Sequence, residues 1–565
     1  MSARMNPLSL SLKLPTATRL PNRLTALSEE LSGSILTLSA YIEKKQRWKG
    51  PDAHRMFGEW LQSGFASKRD LSVWLKEKYP LGSIHGKHFD EARALADRWR
   101  QGGVRVAVPF KGPLTRDQAS VPPQGGLGLD DDSAAGEVTL PGVPSLLCPA
   151  VYFLKGSLRR DIPWVAVFNS RKSKNVLPND GWLKALRFVL TRVAEQGGGI
   201  ASSLGTLTYD LAIAQAQRSR SPLILATSRA FEELLEGKGF PFGLEDCYPE
   251  LVLTCSTGAI RCSRSARMVC RDRTLAFLAD LHLVLEIRSG GNLWDILEAQ
   301  QARQPRRQWV YLPRAKNAGN EGSFDLLRKF PDWSHSVSIP DKGPGETGRA
   351  SNSGSLPLSS ISSALPAADE IPWADYLYHY ARACSGPWPG QAHRDYLLSL
   401  LDGDPLSGHT ALDTLARIIL EGRIRAGSKL VRGDRAVVSW TSRPPFELES
   451  IRKWSPGLIR WTFEPYGFGV SRKELRKRGV MPTIYGRPEV YERLHPSERF
   501  RFQRHEPERC SWKHEREWRL PEDLDLRDVP RDLGFVFVPG RKDGKRLEAL
   551  TGGCCFPIVT LSPAA

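Results

Sequence analysis

Short apolar runs alternate with longer amphipathic segments between residues 164 and 313. Residues 164–168 form an apolar run of the length of a buried strand, residues 181–195 have helical spacing, and residues 222–226 form a second strand-like run. Strands that alternate with helices at this spacing predict a parallel, doubly wound sheet. We therefore expect an α/β fold with a Rossmann-like domain in the middle of the chain.

Small polar residues follow the predicted strand that starts near Gly199, where the chain reads Ile-Ala-Ser-Ser-Leu-Gly-Thr. In a doubly wound sheet, ligands bind beyond the carboxyl ends of the strands, where backbone N–H groups and a helix N-terminus face an anion. The spacings GxGxxG and GxxxxGK[ST] are absent, so the same residues also fit a tight turn without a ligand. Both interpretations stay open for Ser202, Ser203, Gly205 and Thr206.

The order of motifs along this region resembles the Rossmann-like domain of the DNA-processing protein A (DprA) family. That family has a strand ending in Ser-Arg, a Ser/Gly turn, an Arg-Asn-Arg helix start, a Val-Val-Glu strand, a Ser-Gly turn and a strand ending in Pro. The segment 143–156, which leads into the first strand, resembles the family as well. The matching positions are Ser170-Arg171, the turn 201–205, Arg271-Asp272-Arg273, Leu285-Glu286, Ser289-Gly290 and Leu312-Pro313.

This resemblance implies that single-stranded DNA or a nucleotide phosphate binds at the strand ends. Two departures from the family leave the choice between these ligands open: Asp272 replaces the middle Asn, and residues 205–210 replace a Gly-Ile-Asp-x-x-Ala-His element. A Gly-Thr turn followed by an acid is also similar to the superfamily that includes lysine-decarboxylase-like phosphoribohydrolases. The implied binding residues are Ser170, Arg171, Ser202, Ser203, Gly205, Thr206, Arg271, Arg273, Ser289 and Gly290.

A second set of polar residues follows residue 371. An early strand carries His379, residues 436–442 form a Ser/Thr-rich strand, and a late Glu515-Arg-Glu517-Trp-Arg motif follows. This order resembles the mono-ADP-ribosyltransferase fold and abortive-infection toxin domains. The resemblance implies NAD as cofactor, but alternating Glu and Arg is also a usual way to charge an exposed strand.

The resemblance also implies a role for each residue of this set. Glu517 would stabilise an oxocarbenium-like transition state, and Glu515, on the same strand face, would orient the acceptor. The cofactor would be held by His379 or Arg425 at its ribose or diphosphate and by Ser439 and Thr441 at its nicotinamide half.

Composition shifts predict the domain limits. Residues 1–26 are expected to be a disordered tail, 27–112 a helical accessory domain and 113–142 a loop or insertion. Residues 143–320 form the Rossmann-like domain, 321–370 a linker that is rich in Ser, Gly and Pro, and 371–565 an α+β domain.

Charge favours a polyanionic partner, because 80 Lys and Arg against 62 Asp and Glu give a net charge of +18. No apolar run has the length of a membrane span, and nine cysteines at ordinary density favour a reducing cytoplasm. Cys247, Cys255, Cys262 and Cys270 lack CxxC spacing, so no metal site is predicted. Whether the protein forms a homodimer stays open.

The leading hypothesis is a bacterial DprA-like protein of DNA processing or anti-phage defence, with a C-terminal effector domain. One alternative is an ADP-ribosyltransferase or nucleotide-processing enzyme that does not bind DNA. The other is a DNA-binding scaffold without catalysis.

Overall fold

A computed structural model of the 565-residue chain describes two compact units. One comprises Met1–Arg171 with Gly181–Pro344, and the other Lys172–Asp180 with Gly345–Ala565. The residues described are 14, 24–26, 29–45, 56–57, 59–60, 70–78, 86–101, 104–109, 152–156, 161–170, 176–229, 249–254, 264–337, 371–428, 431–433, 435–455, 460–506 and 512–561.

The first unit contains a sheet of ten strands in the order β1-β2-β3-β7-β6-β5-β4-β8-β9-β10. The seven strands from β7 to β10 in this order run parallel, whereas β1, β2 and β3 pair antiparallel at one edge. The strands are β1 (Leu24–Ala26), β2 (Arg105–Pro109), β3 (Tyr152–Gly156), β4 (Trp164–Phe168), β5 (Gly199–Ser202), β6 (Leu223–Thr227), β7 (Leu251–Thr254), β8 (Leu281–Val284), β9 (Arg307–Tyr311) and β10 (Ser334–Val337).

Helices accompany this sheet and bury its central strands. Every residue of β4 and β6 is buried, which is why these strands read as continuous apolar runs. The predicted Rossmann-like α/β fold is therefore confirmed. The helices are α1 (Glu29–Lys45), α2 (Leu71–Lys78), α3 (Gly86–Gln101), α4 (Gly181–Glu195), α5 (Leu207–Ser219), α6 (Arg264–Leu278), α7 (Asn292–Arg303) and α8 (Glu321–Lys329).

Ordered structure continues into the stretch that the composition predicts as linker. Helix α8 lies in it, and β10 pairs with β9 in parallel over four positions. The sequence Ser-His-Ser-Val of β10 has little apolar content, and a buried hydrogen bond from Ser334 Oγ to Gln308 Oε1, 3.0 Å, joins it to β9. The sheet of the first unit thus extends through Val337.

The second unit contains a seven-stranded mixed sheet in the order β17-β20-β13-β11-β16-β22-β23. All neighbours in it are antiparallel except β22 and β23. The strands of this unit are β11 (Tyr376–Tyr380), β12 (Arg423–Ile424), β13 (Val438–Thr441), β14 (Trp454–Ser455), β15 (Arg460–Trp461), β16 (Gly467–Ser471), β17 (Met481–Pro482), β18 (Ile484–Gly486), β19 (Phe502–Arg504), β20 (Glu517–Leu520), β21 (Leu524–Asp525), β22 (Gly534–Val538) and β23 (Ile558–Thr560).

The mostly antiparallel strands of this sheet, together with the helices of the same unit, confirm the predicted α+β class. Helix α10 begins at a capping box formed by Thr410 and Asp413 and ends at Gly422, whose φ of 62° suits glycine. The helices are α9 (His393–Asp402), α10 (Ala411–Glu421), α11 (Leu448–Ile451), α12 (Arg472–Lys477), α13 (Pro488–Arg493) and α14 (Arg541–Thr551). Within the part of the chain that is described, no helix combines the length and apolar character needed to cross a membrane.

Candidate functional site

The parallel sheet of the first unit reverses its winding between β4 and β8. From β4 the chain moves outward through β5, β6 and β7, and it then returns to place β8 on the other side of β4. A doubly wound sheet opens a crevice at such a point, beyond the carboxyl ends of its strands. The loops that follow β4, β5 and β8 are therefore the candidate site.

Two polar side chains after β4 join these loops. Asn169 accepts a hydrogen bond from the Glu286 N–H at 3.2 Å and donates to Thr208 Oγ1 at 3.1 Å. Ser170 Oγ accepts from the Arg288 N–H at 3.1 Å. Strand β8 itself ends at Val284. Backbone bonds from the Leu285 N–H to the Phe168 carbonyl and from the Ser170 N–H to the Glu286 carbonyl, both 2.9 Å, continue the connection to the loop after β4.

The turn after β5 is held by its own polar groups. Ser202 Oγ donates to the Tyr209 carbonyl at 2.9 Å, and Thr206 caps α5 by accepting from the Tyr209 N–H at 3.3 Å. Gly205, with a φ of 91°, is exposed at the tip. Ser202 and Thr206 therefore act mainly on the conformation of the turn, and Gly205 faces outward.

Two buried polar groups of this turn stand out. Ser203 is fully buried, and among the described residues its hydroxyl has no hydrogen-bond partner. Burial raises the pKa of Asp210 to about 7, against the lowering effect of the Gly205 N–H and of Arg271. A buried carboxyl group with a raised pKa therefore lies against the turn after β5.

The sequence places Arg271 at a helix start as a phosphate ligand, and the structure gives a different picture. Arg271 lies in the middle of α6, and its side chain is 3% exposed. Its Nε donates to Asp272 Oδ1 at 2.8 Å and its Nη1 to the Leu204 carbonyl at 2.9 Å, and its guanidinium lies 4.9 Å from the centre of the Tyr209 ring. Arg271 consequently supports the turn from inside the protein.

Asp272 completes this buried pair. Its Oδ1 also accepts a hydrogen bond from the Tyr209 hydroxyl at 2.8 Å. Burial holds the pKa of Tyr209 well above its usual value. Arg273, the next residue of α6, is half-buried, and Arg171 lies outside the described residues.

The exposed part of the crevice follows β8. Arg288, Ser289 and Gly290 are exposed, and Gly290 has a φ of 65°. Helix α7 begins directly after them without a side-chain cap, so its first N–H groups and its dipole are available to an anion. In the described part of the chain, no acidic side chain lies within 4.0 Å of Arg288.

Sequence reasoning missed Arg288 and Asn169. The available signal is a basic residue between a buried strand and a Ser-Gly turn, and a polar residue directly after β4. Ser170, Gly205, Ser289 and Gly290 were predicted, and the structure places all four in loops at the carboxyl ends of β4, β5 and β8.

In the second unit, Glu517 lies at the centre of a hydrogen-bond network. Ser439 Oγ donates to its Oε1 at 2.8 Å, and Arg519 donates to both carboxylate oxygens at 2.9 and 3.1 Å. The Arg519 side chain is 2% exposed. Its remaining donors bind the carbonyls of Phe500 and Phe502 and the Gln503 side chain.

Register explains why these groups meet. Thr441 pairs with Glu517 and Ser439 with Arg519 across β13 and β20, and alternation places all four on one face of the sheet. The Glu517 carboxylate is therefore held in one orientation. The sequence predicted Ser439, Thr441 and Glu517 as one group, and it missed Arg519.

Glu515 does not share the strand face of Glu517. It ends a short 3-10 turn, and Arg516, with a φ of 47°, breaks the alternation before β20 begins. The Glu515 carbonyl accepts a hydrogen bond from Thr441 Oγ1. Burial raises the pKa of Glu515 to about 7, and the field of Arg382 opposes this shift.

His379 lies on the opposite face of the sheet from Glu517. Tyr378 pairs with Thr441, so His379 faces the side of Trp440, and the two ring centres are 5.6 Å apart. Its Nδ1 bonds to the Ser439 carbonyl at 2.9 Å, and burial lowers the pKa of His379 to about 4. The single cleft expected for His379 and Glu517 is therefore not observed.

Arg425 lies apart from this strand network. It follows β12 and donates from Nε to Glu421 Oε2 at 2.8 Å, at the end of α10. The contact raises the pKa of the guanidinium. Its expected place beside a cofactor in the Glu517 network is not observed either.

The structure describes one of the four cysteines that lie between residues 247 and 270. Cys247, Cys255 and Cys262 lie outside the described residues. Cys270 lies in α6 and is half-buried.

The first unit is thus a Rossmann-like domain with a polar crevice at its switch point, and the second is an α+β domain with a buried carboxylate–guanidinium network. The chain is similar to DNA processing protein A from Helicobacter pylori, a structure concerned with its single-stranded DNA binding mode, at 16% identity. The similarity covers 34% of this chain and 82% of that chain, with a TM-score of 0.27.

Two further solved structures are similar to the chain. DNA processing protein A from Streptococcus pneumoniae has 15% identity, covers 55% of this chain and 92% of its own, and has a TM-score of 0.30. The Moco carrier protein from Chlamydomonas rheinhardtii has 11% identity, coverages of 32% and 90%, and a TM-score of 0.20. No protein-family model and no curated protein matches the chain. The fold assignment rests on the order and direction of the strands.

Proposed function

We propose that the first unit binds the phosphates of single-stranded DNA in the crevice at the ends of β4, β5 and β8. The observation that carries the proposal is the arrangement after β8, where the exposed Arg288 and the Ser289-Gly290 turn precede the uncapped start of α7. A guanidinium and a helix N-terminus both favour a phosphate, and both lie at the edge where doubly wound sheets bind ligands.

The hydrogen bonds that connect the neighbouring loops support the same proposal. Asn169 and Ser170 connect the loop after β4 to the β8 loop and to α5, so that the exposed groups have a fixed geometry. Donors held in place lose less conformational freedom on binding. The net charge of +18 adds a long-range attraction for a polyanion.

The test is the binding of a labelled oligo(dT) strand to the full chain at several salt concentrations. We expect the affinity to fall steeply with salt, by roughly 0.7 log units per log unit of salt for each phosphate neutralised. Arg288→Glu is expected to weaken binding at least tenfold. The matched control is Arg307→Glu, because Arg307 is exposed on the same sheet at the amino end of β9.

Equal binding by both variants would place the DNA elsewhere on the chain. Competition by a mononucleotide at micromolar concentration, without binding of oligo(dT), would identify the crevice as a nucleotide site. The second outcome separates the DNA proposal from its nucleotide alternative.

We further propose that the second unit is an effector that transfers ADP-ribose from NAD, in a protein of DNA processing or anti-phage defence. The supporting observation is the hydrogen bond between Ser439 and Glu517, with the carboxylate fixed by buried Arg519. Cleavage of the nicotinamide–ribose bond develops positive charge on the sugar, and a preoriented carboxylate stabilises that charge in the transition state.

Residues of this chain fit only part of such a site. Ser439, Thr441 and Glu517 share a face, whereas His379 and Arg425 lie elsewhere. Incubation with labelled NAD and protein, DNA or RNA acceptors tests the proposal. Glu517→Gln is expected to abolish label transfer, and Glu522→Gln, an exposed position on the following turn, is the control. Label transfer that persists in Glu517→Gln would overturn this assignment.

A further inference from the structure

The loop between α14 and β23 presents two adjacent cysteines. Helix α14 ends at Gly552, whose N–H donates to the Glu548 carbonyl at 2.9 Å. Gly552 and Gly553 have φ values of 70° and 123°, which are conformations that suit glycine. This double-glycine turn brings Cys554 and Cys555 to the surface, where Cys555 is exposed and Cys554 half-buried.

The two thiols are unequal in their chemistry. The interaction with the neighbouring Cys554 thiol and the positive field of the Arg531 guanidinium lower the pKa of Cys555 to about 6. The same contact, together with burial, raises the pKa of Cys554. At neutral pH this gives an exposed thiolate beside a protonated thiol, which is the combination found at reactive cysteines.

We propose that Cys554 and Cys555 form a reversible oxidation site that reacts with hydroperoxides. The Cys555 thiolate attacks the terminal peroxide oxygen and breaks the O–O bond, which gives a sulfenic acid. The leaving oxygen takes up one proton from solvent, the equivalent of the proton that Cys555 lost on ionisation, and departs as water or alcohol. The Cys554 sulfur then attacks the sulfenic sulfur, and water leaves with the Cys554 proton. In total, two thiols and one hydroperoxide give one disulfide, one alcohol or water, and one further water.

Local geometry makes this disulfide easy to reduce. Neighbouring Cα atoms across a trans peptide are about 3.8 Å apart, which is below the usual disulfide separation, so the ring is strained and its reduction is favoured. On one side the loop is anchored by Phe556, which is buried and packs edge-on against Phe468 with ring centres 6.1 Å apart. The backbone change that the disulfide requires therefore takes place at Gly553, the residue with the most backbone freedom.

The experiment exposes the full chain to hydrogen peroxide at pH 7, alkylates the remaining thiols with N-ethylmaleimide and analyses the peptides by mass. The expected product is a peptide with Cys554 and Cys555 that is two hydrogen masses lighter, carries no alkyl group and is restored by dithiothreitol. The rate is expected to rise with pH to a plateau, with its midpoint near pH 6.

Three variants separate the roles. Cys554→Ser is expected to stop at a sulfenic acid on Cys555 that dimedone traps, and Cys555→Ser to leave Cys554 alkylated. Cys384→Ser is the matched control, because Cys384 is a half-buried thiol whose Sγ contacts the Pro387 carbonyl at 3.5 Å, and it is expected to behave like the parent. The proposal is overturned if both cysteines of the parent are still alkylated after exposure to peroxide. It is also overturned if Cys554 in the Cys555→Ser variant is oxidised at the parent's rate.

Discussion

Arg271 and Arg288 carry the same charge in the same unit, but burial gives them different roles. Arg271 is almost fully buried and donates to Asp272 and the Leu204 carbonyl. Arg288 is exposed at the end of the crevice. An Arg-x-Arg motif cannot distinguish these cases, because burial depends on how α6 packs against the turn after β5.

Replacement of Arg271 by Ala is expected to destabilise the first unit. It leaves the buried Asp272 carboxylate without its guanidinium, and breaking a buried pair costs roughly 3–5 kcal/mol. Urea unfolding followed by tryptophan fluorescence measures this loss, with Arg307→Ala as the exposed control. If Arg271→Ala keeps the parent's stability and loses only DNA affinity, Arg271 is a ligand of the DNA after all.

Glu515 predicts a pH dependence of stability in the second unit. Burial raises its folded pKa from 4.5 to about 7, so the folded state binds more protons than the unfolded state between these pH values. Stability from this group is therefore present below about pH 4.5 and is lost as the pH rises through about 7. Glu515→Gln is expected to remove this dependence and to stabilise the unit at pH 8 by roughly 1–3 kcal/mol.

Thermal unfolding at pH 5 and pH 8 tests the Glu515 prediction. The gain in melting temperature is expected to be larger at pH 8, and Glu522→Gln, which is exposed, is expected to give the same small change at both pH values. A gain that is larger at pH 5 would contradict the assigned direction of the pKa shift.

At the scale of elements, apolar periodicity predicts most of the regular structure. The expected segments 164–168 and 181–195 coincide with β4 and α4, and the early strand expected to carry His379 is β11. Each has a clear apolar period and is bounded by Gly, Thr or polar residues. Where burial and local propensity agree, the sequence alone is sufficient.

The sequence did not predict those elements whose structure depends on contacts with residues far away in the chain. The polar β10 is held by pairing with β9, and the side chain of Asn169 connects the loop after β4 to the loop after β8. Glu515 leaves the strand because Arg516 adopts a left-handed backbone. The candidate sites were predicted by residue type and order, whereas their grouping on sheet faces required the register of β11, β13 and β20.

Asn169→Ala tests the connection between the elements of the crevice. The change removes the bonds to Glu286 and Thr208, and it is expected to destabilise the first unit by roughly 1–3 kcal/mol. It is also expected to weaken oligo(dT) binding, because the loops after β4 and β8 lose their fixed relation. Asn317→Ala, which removes an exposed turn contact to Gly319, serves as control. Unchanged stability and affinity in Asn169→Ala would show that the two loops do not need this connection.

At the scale of the whole molecule, two units with separate polar sites lie on one strongly basic chain. The first offers exposed donors to an anion at the ends of parallel strands, and the second holds Glu517 in a buried network. The separation allows the two proposals to be tested independently, since Arg288 belongs to one unit and Glu517 to the other. Loss of one activity with retention of the other is therefore informative.

Hydrogen–deuterium exchange of the full chain with and without oligo(dT) tests the central claim most directly, because the proposed ligands include backbone N–H groups. We predict slower exchange in the peptides that cover residues 203–206 and 288–293, and no such change in the Arg288→Glu variant. Slower exchange that is confined to the second unit, or no change at a saturating concentration of oligo(dT), would contradict the placement of single-stranded DNA at the carboxyl ends of β4, β5 and β8.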